Sequence, residues 1–100
     1  MADEIKVDYE QLEQVASRFL HQAHAIQRMQ RRMQHSMQNL ETGWTGSGAT
    51  AFFAEMQGAI LPAIQQLQNA LEEASQVTKT VNQIMQQADK EASSPFRTSS

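Results

Sequence analysis

The sequence predicts an all-α protein: an antiparallel helix-turn-helix hairpin that dimerises into a four-helix bundle. Three observations lead there. Apolar residues recur every seven positions through two long stretches of the 100-residue chain, a period that suits packed helices and no strand. The breakers are concentrated: Gly43, Gly46 and Gly48 surround Trp44 near mid-chain, where a turn belongs. The apolar positions also outnumber what one two-helix seam holds, in a small chain with no cysteine to staple its core.

Helix 1 is expected over about 9–41. Asp8 is a good N-cap, and Gln11 three residues on completes a pair of capping-box type. Val7 and Leu12 stand at the positions of a hydrophobic staple. The sevenfold row is Leu12, Phe19, Ile26, Met33 and Leu40, with a second row through Val15 or Ala16, Ala23, Met29 and Met37. The turn takes 42–47, with Gly43 and Gly46 supplying positive φ and Ser47 capping the next helix.

Helix 2 is expected over about 48–90. Its rows are Phe53, Ile60, Leu67, Ala74, Val81, Ala88 and Met56, Ala63, Ala70, Val77, Ile84, all apolar. Pro62 lies inside this helix and lacks a backbone donor, with Gly58 four residues earlier; a bend without a break is expected. Folding about Trp44 sets Phe19 near Ala70 and Ile26 near Ala63. Leu20, Phe52, Leu61, Ile64, Leu71 and Met85 are then left over, and a second hairpin is the economical cover for them. The hairpin occupies 1–92, and the Ser-rich segment 93–100 is expected to be a flexible tail.

Several function classes drop out. There is no Cys nucleophile and no G-x-S-x-G, and TGWTGSG lacks the lysine of a phosphate-binding loop. Carboxylates on a solvated helix face have nothing to shift their pKa. The chain therefore reads as no enzyme, with no cofactor. His21 and His24 share a helix face but make only two ligands, too few for a metal site. Arg28, Arg31, Arg32 and His35 form a basic patch, read as a solvated face or a docking patch for an acidic protein. A net charge of -3 and the lack of aromatics among those arginines argue against nucleic acid. No apolar run nears the roughly 18 residues of a membrane span, and the acidic first eleven residues do not read as a cleaved signal peptide. The 15 glutamines fit solvent-side helix positions, and Met29, Met33, Met37 and Met56 fit the seam as filler.

Length, a central Trp44-Thr45-Gly46 tripeptide, two heptad helices around it and no cysteine together resemble the WXG family of helical-hairpin proteins of type VII (ESX-type) secretion. The likeness spans Ile5 to about Ala92. It implies dimers of hairpins, with itself or with a second WXG-family protein. It also implies export in folded form through a machine driven by an FtsK/SpoIIIE-like ATPase. By this resemblance the chain is a secretion substrate or co-secreted carrier, found outside the cell or at its surface without stable membrane insertion. The family carries a Tyr-x-x-x-Asp/Glu export signal after helix 2. This chain departs from it, since Tyr9 is the only tyrosine. Met85, Asp89, Ala92 and Phe96 fit a looser form of the signal; otherwise a partner supplies the signal. The residues expected to pair hairpins or helices are Leu12, Phe19, Leu20, Ile26, Met33, Leu40, Phe53, Met56, Ile60, Leu61, Ile64, Leu67 and Leu71. The alternative is an intracellular coiled-coil adaptor that is not exported, which shares the heptads but leaves Trp44-Thr45-Gly46 unexplained.

Overall fold

The computed structural model describes residues 8–93. Val7, Pro95 and Phe96 lie outside the described residues. Within them the chain runs α1 (Tyr9–Glu41), α2 (Ser47–Glu55), a π-helical turn (Met56–Ile60) and α3 (Leu61–Ala92). α1 and α3 lie antiparallel along a rod of 78 × 22 × 19 Å. The radius of gyration is 22.8 Å, against about 13 Å for a compact globule of this length. Such a rod has little interior and much surface.

Asp8 opens α1 from an extended conformation, and its carboxylate accepts the Gln11 amide at 3.0 Å. At the other end, the amides of Gly43 and Trp44 both donate to the Leu40 carbonyl, at 3.1 and 2.9 Å. The Thr42 hydroxyl donates to the Asn39 carbonyl. Gly46, not Ser47, is the N-cap of α2. Its φ of 112° is a region that side-chain-bearing residues avoid. Gly43 was expected to share this role, but Gly46 is the one glycine at positive φ among the described residues.

Pro62 produces more than a bend. Lacking an amide hydrogen, it cannot bond the Gly58 carbonyl, and its ring crowds that carbonyl. The chain answers by widening one turn: Leu61 N–H reaches back five residues to the Met56 carbonyl. A π turn accommodates one extra residue. Each residue of a helix advances about 100°, so everything after Ile60 is rotated by that amount relative to an unbroken heptad.

This rotation corrects the expected seam. Up to the start of the π turn, Ala49, Phe53 and Met56 face inward, as an uninterrupted row would have them. After it the inward row is Leu61, Ile64, Gln68, Leu71, Ser75, Asn82 and Met85. The wholly apolar row expected there faces outward: Ile60, Leu67, Val77, Val81 and Ile84 are exposed, Leu67 at 48% and Ile84 at 62%. Ala63, Ala70 and Ala88 are exposed as well. On α1, Leu40 is exposed, while Leu12, Phe19, Leu20, Ile26 and Met33 are half-buried.

Polar bonds fix the register. Ser75 Oγ donates to the Ala16 carbonyl at 2.7 Å. Asn82 Nδ2 donates to the Tyr9 carbonyl at 3.3 Å and to Glu13 Oε2 at 3.1 Å. Ala16 and Ala23 are fully buried, and their short side chains let the helices approach closely enough for a serine hydroxyl to reach backbone. One heptad along, the same register sets Ala23 opposite Gln68 and not Phe19 opposite Ala70. Gln68 is buried, and its Oε1 has no hydrogen-bond partner among the described residues.

Two outcomes test this seam. Deleting Gly58 together with Pro62→Ala removes the extra residue and both helix breakers, worth about 1 and 3 kcal/mol of intrinsic propensity. The rows before and after then align as one α-helix, and the variant melts no lower than the parent by circular dichroism. Had the Ile60–Leu67 row been the seam, the deletion would unfold the hairpin. Gln68→Met removes a buried unpaired acceptor at nearly constant volume; a gain of about 1 kcal/mol raises Tm by roughly 4–8 °C.

Candidate functional site

Four surfaces stand out: the turn, the helix ends and the hairpin's two broad faces. At the turn, Trp44 is 38% exposed yet well held. Its ring lies 5.3 Å from Phe52 and 5.7 Å from Phe53, and those two rings are 5.3 Å apart, all tilted or edge-on. Such pairings add about 0.5–1.5 kcal/mol each beyond area burial. Thr45 completes the turn, and Gly46 at positive φ then sends the chain back into α2, whose first turn closes with Thr50 N–H and Oγ1 both bonding the Gly46 carbonyl. The tryptophan thus caps the hairpin with an apolar rim in place of the polar residues usual at a loop tip. Sequence reading singled out Trp44 but not its two phenylalanine supports.

The helix ends carry a second cluster. The Tyr9 hydroxyl donates to Asp89 Oδ2 at 2.6 Å and lies 3.2 Å from the Met85 carbonyl. The hydrogen bond to Asp89, then partial desolvation, then the charge of the same carboxylate all push the Tyr9 phenol above its ordinary value. The hairpin register therefore brings the only tyrosine, at the far end of the sequence, onto Met85 and Asp89. The sequence signal for this contact is antiparallel pairing itself, which sets the first turn of α1 beside the last turns of α3. Within one chain the tip and this cluster lie at opposite ends of the rod, about 50 Å apart by the length of α1. Phe96 lies outside the described residues.

The broad faces differ completely. In two antiparallel helices, the rows just N-terminal to each seam row rotate to the same side. One face accordingly gathers Leu12, Val15, Phe19, Ile26, Met29 and Met33 of α1 and the exposed apolar row of α3. Its continuity shows near the tip, where Met29, Met33 and Leu40 line one cleft of about 300 Å³ with Phe52 and Met56. The opposite face is polar, and a cleft there is lined by Gln27, Gln30, Arg31, Gln34, Gln65 and Gln68. Arg28, His21, His24 and His35 are exposed and belong to that polar side by helical phase, while Arg32 borders the methionine cleft. Among the described residues no three His, Cys, Asp or Glu side chains gather as metal ligands, and no helix is long and apolar enough to cross a membrane.

Comparison with known proteins gives one family. The family model described as proteins of 100 residues with WXG matches residues 4–90. No curated protein and no solved structure matches the chain.

Because Tyr9 is the sole tyrosine, its titration is read directly from phenolate absorbance. It is expected to ionise above the ordinary value of about 10 and to return to it in Asp89→Ala. The sign follows from linkage: the folded state holds the phenolic proton more tightly. Its contribution to stability is complete below the unfolded value and is lost as pH rises through the folded one. A phenol unchanged by Asp89→Ala would remove the contact.

Proposed function

Since the chain belongs to the WXG100 family, a small helical family associated with type VII secretion and not with catalysis, we propose that it is a type VII secretion substrate or co-secreted carrier. It works by dimerisation and by recognition at the export ATPase of FtsK/SpoIIIE-like type. Its destination is outside the cell or the cell surface. Family membership supports the secretion assignment, and the family's habit of forming dimers supports pairing with itself or with a second WXG-family chain.

One observation carries the recognition reading: the exposed Trp44, fixed on Phe52 and Phe53 at the tip and outside the α1–α3 seam. A large aromatic held rigid with about a third of its surface exposed offers contact area at little entropic cost, a property shared by binding hot spots. Met85 and Asp89, with the Tyr9 hydroxyl bonded to both, make the second element. The phenol and carboxylate that the family's signal places four residues apart are here supplied by α1 and α3 together. The share of Phe96 rests on its sequence spacing alone.

Export of Trp44→Ala and Trp44→Phe tests the reading. Both variants are expected to stay helical and dimeric by circular dichroism and light scattering. Trp44→Phe retains most of the aromatic packing and so controls for stability. Trp44→Ala should remain in the cell pellet while the wild type reaches the medium. A folded, dimeric Trp44→Ala protein exported at wild-type level would sink the role of the motif.

A further inference from the structure

One cluster of side chains is used neither by the polar seam nor by the recognition elements: the methionines near the tip. We infer that Met33, Met37 and Met56 hold a single Cu(I) ion through their thioether sulfurs. The ion sits within one hairpin, independently of any role in secretion.

Four of the chain's six methionines line one cleft of about 300 Å³ between α1 and the start of the second arm. Met29, Met33 and Met37 recur every fourth residue on α1, so they leave one helix face from consecutive turns, about 6 Å apart. Met56 comes from across the hairpin. Carrying the level of the Ser75–Ala16 bond along both helices puts Met56 at about the height of residue 35, midway between Met33 and Met37. Met37 is buried, while Met29, Met33 and Met56 are half-buried. As filler, the role their spacing suggests in the sequence, they would close the space between them. Here that space stays open, and thioethers ring it from both arms.

The donor set selects the ion. A thioether is neutral, soft and polarisable, and soft sulfur ligands favour Cu(I) over harder cations. The chain has no cysteine to offer a thiolate, and no histidine or carboxylate lines the cleft. Zn(II) and Cu(II) therefore find none of the ligands that suit them. Three uncharged sulfurs leave the ion's charge unneutralised, which a monovalent cation in an apolar cleft tolerates better than a divalent one. Arg32 borders the cleft but is exposed, and its long stem allows the guanidinium to stay in water. The three rotatable bonds of each methionine let the sulfurs converge with little movement of the backbone.

The position gives the ion two consequences. Met56 also supplies the carbonyl that accepts the Leu61 amide in the π turn. A metal on its side chain ties to α1 the residue on which the phase of α3 turns. Phe52 lines the same cleft and lies 5.3 Å from the Trp44 ring. Trp44 is the only tryptophan of the chain, so its emission reports occupancy, because a heavy soft ion close by quenches an indole.

Titration of the full-length chain tests the site, with Cu(I) supplied as its acetonitrile complex in the absence of oxygen and a chromogenic Cu(I) chelator in competition. One equivalent per chain is expected to leave the chelator, to quench Trp44 and to raise Tm, since an ion bound only by the folded state stabilises it. Zn(II) should do none of these. Met33→Leu combined with Met56→Leu nearly conserves volume; the variant should stay helical by circular dichroism and lose the equivalent. His21→Gln combined with His24→Gln removes the imidazole pair of α1 and should keep it. The X-ray absorption spectrum of the loaded wild type, which needs no variant, is expected to show sulfur neighbours alone. A chain that takes no Cu(I), equal uptake of Zn(II), a leucine variant that still binds, loss of binding in the histidine variant, or nitrogen in the metal's first shell would each overturn the inference. None of these outcomes bears on export, so the secretion reading stands or falls by its own test.

Discussion

A missing amide hydrogen at Pro62 sets the phase of more than half of the second arm. Because Leu61 must reach back to Met56 and not to Gln57, one residue is absorbed in the π turn and α3 enters the hairpin rotated by about 100°. Which side chains touch α1, and which are left exposed, follow from that one step. The inward row it selects is mixed, with Ser75, Asn82 and Gln68 among leucines. The row it rejects is wholly apolar. π turns are uncommon and concentrate at functional positions; here the function served is the allocation of faces.

The allocation makes energetic sense. A seam that closes on Ala16, Ala23, Ser75 and Asn82, with Leu61, Ile64, Leu71 and Met85 only half-buried, buries little apolar area, so it contributes modestly. Its hydrogen bonds to the Ala16 and Tyr9 carbonyls specify register more than they stabilise, since a net intramolecular hydrogen bond is worth only about 0.5–1.5 kcal/mol. Leu67, Val77, Val81 and Ile84, each worth about 1.5–3 kcal/mol when fully buried, are exposed on the outer face. Any partner that covered this face would add to the stability of the hairpin, because whatever binds the folded state stabilises it. The register of the hairpin is specified by its own polar seam.

The aromatic tip and the helix-end cluster lie outside the long seam. Trp44 caps the tip on two phenylalanines, outside the long seam, and the Tyr9–Asp89 bond closes the opposite end across α1 and α3. The polar face, with its glutamines and arginines, is largely exposed in the hairpin.

Much was legible in the sequence because it is local. The heptads dictate two long helices, Asp8 caps the first, and the glycines about Trp44 dictate the reversal, each from the chemistry of a few neighbouring residues. The same locality explains the limits. Leu67 and Leu71 are equally plausible seam residues in a linear heptad, and so are Ile60 and Leu61, because two adjacent apolar rows differ only by a rotation. The sequence marked Pro62 as a bend but not as a rotation, since the response of the backbone to a lost donor depends on how Met56, Gly58 and Leu61 rearrange together. Nor did Tyr9 look like a neighbour of Asp89 across some eighty residues of chain. Composition and periodicity determined the class, the hairpin and the turn; only the tertiary packing decided which face closes and which stays open, because that choice turns on a single helical residue's worth of phase.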